Sequence, residues 1–269
     1  MGISKRVEEA RRAFLNGDHE RSAKAHKPSA IAKAASEEHG GAGSQYIGDF
    51  VYGGLDGIIT TFAVVCGVAG ADLETRIILI MGLANLLADG FSMATGAFLS
   101  ARSEQEYYRK EREREAWEID HFPEGERIEL LEIYQNKGYA KEEAEQLTEL
   151  ITRNKERWLD AMMVDELGML PDESSPLLNG VATLVAFVLA GSVPLLVYFL
   201  GLVFPIAADL SFAIALGLSG VALFGLGVAK VLVTHLNPWK SGLEMLLVGG
   251  LAAFVAYLVG GMLKGLGAA

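Results

Sequence analysis

Cysteine is nearly absent from this chain, and histidines nowhere form a cluster. The single cysteine, Cys66, lies inside an apolar run, so the sequence offers neither a disulfide framework nor a thiolate metal site. An excess of positive charge is also lacking. The net charge of −11 argues against a nucleic acid partner, whose phosphates require Lys and Arg. With no basic segment followed by an apolar core at the N-terminus, we predict no cleavable signal peptide.

Charged residues are scarce in two long stretches, 46–99 and 177–263, where Gly, Ala, Val and Leu dominate. These stretches contain five apolar runs of about twenty residues or more, the length needed to cross roughly 30 Å of hydrocarbon. The sequence therefore predicts an all-α polytopic membrane protein. Its five transmembrane helices are expected at 46–71, 77–99, 177–203 (with a kink at Pro194), 207–233 and 241–263.

Between the second and third spans lies a charged insert, 100–175, with 21 acids and 11 bases. Its apolar periodicity predicts a helical domain, with helices at 124–136, 140–152 and 155–167. Ile128, Leu131 and Tyr134 are expected to form the packing stripe of the first of these, and Gly138 and Gly168 to stop two of them. Because 100–118 contains no Pro or Gly, the second span is expected to continue into the insert as one helix.

Basic residues set the predicted orientation. Residues 1–45 hold eight Lys and Arg and the insert holds eleven, whereas the short connections at 72–76 and 204–209 contain only Arg76. The positive-inside rule then places the N-terminus and the insert in the cytosol. The host membrane would be the inner membrane of a prokaryote or a vacuolar-type membrane of a eukaryote. Residues 1–45 predict a solvated or membrane-surface helix, followed by a flexible hinge at 40–44.

Acidic residues occur within the predicted spans, where an ionised Asp costs about 2.5–3.5 kcal/mol. Asp56 shares a helical stripe with polar and small residues of the first span, namely Asp49, Gly53, Thr60, Ala63 and Gly67. Asp89 shares another with Met81, Asn85 and Met93 of the second span. These patterns favour a cation path. The alternatives are that Asp56 only bonds a neighbouring helix and that the methionines only fill the core.

Carboxylates in the insert recur at helical spacing. The groups are Glu115 with Glu118, Glu126 with Glu129, and Met162 and Met163 with Glu166. Residues three or four apart share a helix face. Carboxylate oxygens with thioether sulfurs favour exchangeable binding of Fe(II) or Mn(II) over a tight structural zinc site. Zn(II) is a further ion that such a set could bind exchangeably. The alternative for any single Glu is a solvated surface position, which we predict for Glu104, Glu106, Glu132, Glu142, Glu143 and Glu145.

Taken together, these segments resemble the vacuolar iron transporter family from about residue 46 to the C-terminus. The resemblance is carried by YGGLDGIITTFA at 52–63, ADGFSM at 88–93, ExxE at 115–118 and 126–129, MMxxE at 162–166 and LNGVAT at 178–183. Some bacterial relatives carry a ferritin-like bundle. The 45 N-terminal residues here are too few to form one, so the chain resembles a bacterial-type member without that domain.

The resemblance implies a five-span homodimer that exports Fe(II), and often Mn(II), from the cytosol in exchange for protons. It implies a path at the two-fold interface, with Asp56 and Met93 as the intramembrane metal site. We expect protons to be coupled at Asp56 or Asp89. The insert's metal ligands would be Glu115, Glu118, Glu126, Glu129, Met162, Met163 and Glu166. Asn85 departs from the family pattern, since some members have a carboxylate there. No permanently bound cofactor is implied.

The sequence leaves three alternatives to proton-coupled iron export. The main cargo could be Mn(II), which the sequence does not separate from Fe(II). The membrane part could merely anchor a metal-sensing or docking module, but that function would not need Asp49, Asp56 and Asp89 within the spans. An embedded enzyme is the third, and without a nucleophile motif or phosphate loop we predict that the chain is not an enzyme.

Overall fold

The computed structural model describes residues 5–35, 46–172, 174–234 and 237–264, and every regular element within those ranges is a helix. Three short helices come first: α1 (Lys5–Leu15), α2 (His19–Ala25) and α3 (Pro28–Ala35). They are followed by α4 (Ile47–Gly70), α5 (Thr75–His121), α6 (Pro123–Asn136), α7 (Lys141–Thr152), α8 (Lys155–Ala161), α9 (Pro176–Gly191), α10 (Leu196–Leu200), α11 (Ala208–Thr234) and α12 (Pro238–Leu263). The predicted hinge at 40–44 lies outside the described residues.

Among the described residues, five helical segments are long and apolar enough to cross a membrane, as predicted: α4, α5, α9 with α10, α11 and α12. The third of these is interrupted where Pro194 was expected to kink it. There α9 ends at Gly191, Val193–Leu195 forms a 3₁₀ turn and α10 resumes the span. The second continues past Leu99 without interruption, since α5 is a single helix of 47 residues.

The chain divides into two compact units, a membrane unit of Met1–Ala97 with Leu177–Ala269 and an insert unit of Phe98–Pro176. In the membrane unit α4 packs against α11 and α12. Glycines let it approach α9 closely, because a methyl group on Gly57 would lie 2.4 Å from the carbonyl oxygen of Phe187. Gly53 meets the backbone of Thr183 in the same way. The small-residue pair of the first span is thus used for packing within one chain.

The insert unit has its own core, built on Leu130, Tyr134, Trp158 and Leu159 together with Ile119 and Met162. The predicted packing stripe of α6 is wrong in one respect. Ile128 is exposed, and the stripe that faces the core is Glu126, Leu130 and Tyr134. Because a carboxylate occupies one of the buried positions, a prediction based on apolar residues alone selects the wrong inner face for this helix.

The last insert helix also differs from the prediction of one α-helix over 155–167. The α-helical part ends at Ala161, and a π-helical turn, Met162–Glu166, follows it. The turn is defined by the bond from the Leu167 amide to the Met162 carbonyl oxygen, 3.2 Å long. Gly168 ends it at a φ of +66°, and Gly138 ends α6 at +98°, so both predicted stops are confirmed.

Candidate metal centre in the insert unit

Five glutamates of the insert unit converge. Oxygens of Glu115 and Glu118, at the end of α5, lie within 4.8 Å of one another and of Glu126 at the start of α6. Oxygens of Glu126, Glu129 and Glu166 lie within the same limit of one another. Glu126 therefore belongs to both groups. We call the five residues the glutamate cluster.

The five glutamates of the cluster differ in their exposure to solvent. Glu115 and Glu126 are 1% and 6% exposed, whereas Glu129 and Glu166 are exposed and Glu118 is half-buried. Neither oxygen of Glu115 nor Oε2 of Glu126 has a hydrogen-bond donor among the described residues. Buried carboxylate oxygens ordinarily have partners, and leaving them without any is costly. A cation that entered between the exposed glutamates would meet two inner carboxylates ready to bind it.

Arg114 is the base that neutralises part of this charge. Its guanidinium forms ion pairs with Glu111, Glu115 and Glu118, and Nη2 lies 2.5 Å from Glu115 Oε1. This contact with Glu115 lacks hydrogen-bond geometry, so the carboxylate is close to a positive charge but still has no donor. One arginine does not balance five carboxylates, and the cluster keeps a strong attraction for cations.

The crowding changes how readily these groups ionise. Burial raises the pKa of Glu115 to about 7, and the charge of Glu166 adds to this shift. Burial likewise raises the pKa of Glu126 to about 7, with Glu115 and Glu129 contributing. The pKa of Glu166 is raised as well, by burial first and then by Glu129. Around neutral pH the two inner carboxylates therefore exchange protons easily, and a divalent cation would compete with those protons.

Met162 and Met163 are fully buried in the core of the insert unit. They occupy the π-helical turn that also carries Glu166. The neighbouring acid, Asp165, is held in a different network, since it accepts a hydrogen bond from Tyr134 at 3.2 Å and pairs with Lys137. This network fixes the turn from outside the cluster. The role of the two thioethers as ligands stays a prediction.

The six glutamates predicted to be surface residues are all exposed, as their sequence context indicated. Two features of the centre were not anticipated. Arg114 sits three or four residues from Glu111 and Glu118, a spacing that could have indicated its pairing. The π-helical turn left no comparable signal in the sequence, and such turns are frequent at functional sites.

In the membrane unit, Asp56 on α4 and Asp89 on α5 are both half-buried, and the charge of Asp89 acts on Asp56. Thr60 donates its hydroxyl to the backbone carbonyl oxygen of Asp56 at 2.8 Å, and this bond does not involve the Asp56 carboxylate. Met93 is half-buried and packs against the apolar core of the unit. Met81, on the same predicted face of α5, is exposed. Asp56 and Asp89 are therefore within electrostatic range of each other.

Comparisons with known proteins agree with this architecture. The model of the VIT family matches residues 47–261. The chain is 39% identical to a vacuolar iron transporter of Toxoplasma gondii over 85% of its own length and 78% of the relative's. It is 33% identical to one of Plasmodium berghei over 98% of both chains. Vacuolar iron transporter 1 of Arabidopsis thaliana is 34% identical over 82% of this chain and 87% of the relative.

Proposed function

The chain belongs to the VIT family, and from that premise we propose that it exports Fe(II), and also Mn(II), from the cytosol in exchange for protons. Its relatives are named as iron transporters, and its five apolar helices supply a membrane-spanning scaffold. Transport, and not catalysis, is the activity that this membership supports. The proposed orientation follows from the basic residues of 1–45 and of the insert, which put both on the cytosolic side.

The observation that carries the proposal is the glutamate cluster. Two buried carboxylates, three of whose oxygens have no hydrogen-bond donor among the described residues, lie beside three more accessible ones and offer oxygen ligands to a cation. Oxygen ligands suit Fe(II) and Mn(II), and Met162 and Met163 would add a softer edge that also admits Zn(II). With no thiolate or imidazole in the cluster, binding would be exchangeable, as a capture step requires. The metal is cargo here, and no permanently bound cofactor is needed.

A second step takes place within the membrane unit, at Asp56 and Met93. A half-buried carboxylate that faced lipid would cost about 2.5–3.5 kcal/mol. A second copy of the chain would cover it if α4 lay at a two-fold interface. Such a homodimer would bring two Asp56 side chains and two Met93 side chains around one path. The arrangement would give an ion both hard and soft ligands midway across the bilayer.

Protons are proposed to drive release. A carboxylate cannot hold a proton and a metal ion at the same atom, so protonation of Asp56 from the far side would free the ion. Asp89, which interacts with Asp56, would accept the proton in turn or supply it. The position of Asn85 one turn before Asp89 makes Asp89 the acidic residue on this face of α5. Each ion exported would thus be exchanged for protons entering the cytosol.

The test is Fe(II) uptake into vesicles that contain the purified protein. Asp56→Asn keeps the size of the side chain and removes its charge, and we expect uptake to fall to the level of empty vesicles. Asp209→Asn is the matched control, because Asp209 is an exposed acid in the first turn of α11. Uptake by the Asp56 variant at the rate of the unaltered protein would remove Asp56 from the path. No uptake by the unaltered protein itself would instead favour the anchored sensor.

A further inference from the structure

The N-terminal helices have an unusual distribution of apolar side chains. α1, α2 and α3 pack on one another, and the residues they bury are the small ones, Ala13 and Ala25. The large apolar residues face outward, with Phe14 81%, Leu15 66% and Ile31 46% exposed. A solvated helical unit would have the reverse arrangement. Something outside this unit must cover these side chains.

The charge of the same unit indicates what covers them. Residues 5–35 hold eight Lys and Arg but only four Asp and Glu, in a chain whose net charge is −11. Arg21 pairs with Glu9, but Arg11, Lys24 and Lys27 are exposed and pair with no carboxylate among the described residues. Exposed bases beside exposed apolar groups complement a bilayer surface that carries anionic headgroups.

The connection to the membrane helices keeps this surface close to a bilayer. Ten residues, 36–45, separate the N-terminal helices from the described start of the membrane unit's first span. Even a fully extended chain of that length reaches no further than about 36 Å. The leaflet at the start of α4 is therefore always within reach, at a high effective concentration. A protein partner would have no such advantage.

We propose that residues 5–35 bind the anionic membrane surface next to the start of α4. Phe14, Leu15 and Ile31 insert at the boundary between headgroups and acyl chains, and Arg11, Lys24 and Lys27 contact lipid phosphates. The VIT family match begins at residue 47, after this segment. The inference does not depend on the transported ion or on proton coupling.

The experiment places an environment-sensitive fluorophore on the full-length protein at Leu15→Cys and, as the matched control, at Glu20→Cys. Cys66 is buried, and the unaltered protein is labelled in parallel to measure any reaction there. Vesicles of phosphatidylcholine are compared with vesicles of equimolar phosphatidylcholine and phosphatidylserine. We expect the label at position 15 to shift to shorter wavelength and to resist an aqueous quencher about ten-fold better in the anionic vesicles. The label at position 20 should stay accessible in both.

A charge-reversed variant completes the test. Replacing Arg11, Lys24 and Lys27 together by Glu should make the label at position 15 equally accessible in the two kinds of vesicle. Two results would overturn the proposal. One is equal quenching at position 15 in both kinds of vesicle before the charges are reversed. The other is protection that survives the charge reversal, which would point to a protein contact.

Discussion

Lowering the pH from about 8 to about 6 is expected to weaken Mn(II) binding to the glutamate cluster roughly 100-fold. The magnitude follows from the two buried carboxylates. Burial and neighbouring charges raise the pKa of Glu115 and that of Glu126 to about 7. Each group is then about nine-tenths ionised at the higher pH and about one-tenth ionised at the lower. Since the metal binds the ionised form, each contributes a factor of about ten.

The assay is isothermal titration of the full-length protein in detergent with Mn(II), at each pH and in two buffers that differ in ionisation enthalpy. The dependence of the measured heat on the buffer counts the protons released when the metal binds. Near neutral pH we expect about one proton in total, because each inner carboxylate is about half protonated before binding.

Glu115→Gln should remove about ten-fold of the pH dependence, because one titrating ligand is lost. Glu145→Gln serves as the matched control. Glu145 is exposed on the outer face of α7, where its Oε1 lies 4.0 Å from Nζ of Lys141, so its replacement should leave the pH profile unchanged. An affinity that does not change between the two pH values, with no proton released, would refute the reasoning. It would show that the inner carboxylates are not the ligands.

Other predictions concern stability and transport. Without metal, the raised pKa values of Glu115 and Glu126 stabilise the folded state at a pH below about 4.5, the pKa of these groups in the unfolded chain. This stability is lost as the pH rises through about 7, by roughly 3 kcal/mol at most for each of the two carboxylates. The thermal unfolding temperature should therefore fall over this pH range without metal, and should fall less when metal is bound. Met162→Ala should lower the free energy of unfolding by about 2–5 kcal/mol, because the side chain is fully buried, whereas Met162→Leu should preserve stability. If the thioether is a ligand, Met162→Leu should still weaken metal binding in a titration. Gly57→Ala should lower the unfolding temperature in detergent, because its methyl group would meet the Phe187 carbonyl, while Gly217→Ala, with open space around it, should not. Asp89→Asn should reduce the dependence of Fe(II) uptake on a pH gradient more than it reduces uptake itself, and equal losses in both rates would argue against a proton role.

The fold was largely predictable because its main signals are local. Apolar runs of sufficient length predict spans whatever their neighbours, and Pro194 predicts an interruption wherever it lies in a helix. The inner face of α6 was not predictable in this way. Ile128 is the more apolar residue, but Glu126 is the one that is buried, since its position depends on the carboxylates brought to it by α5.

The spacing of the glutamates predicted that each pair shares one helix face, but it did not predict the properties of the individual residues. Nothing in the sequence distinguishes Glu126, which is buried and shared between both groups, from Glu129, which is exposed. The π-helical turn beside Glu166 depends on hydrogen bonds and on the pairing of Asp165, both set by tertiary packing. Burial therefore decides which carboxylates titrate near neutral pH, and burial is a property of the folded insert unit.

Metal flux is the measurement that tests the central claim most directly. Vesicles containing the purified protein would be loaded at acidic pH, placed in neutral buffer, and offered Fe(II), Mn(II) and Zn(II) in turn while the internal metal and the internal pH are recorded. We predict that Fe(II) and Mn(II) accumulate, that accumulation slows when the pH gradient is abolished, and that the interior becomes less acidic as metal enters. No accumulation above that of protein-free vesicles, with or without the gradient, would contradict the account.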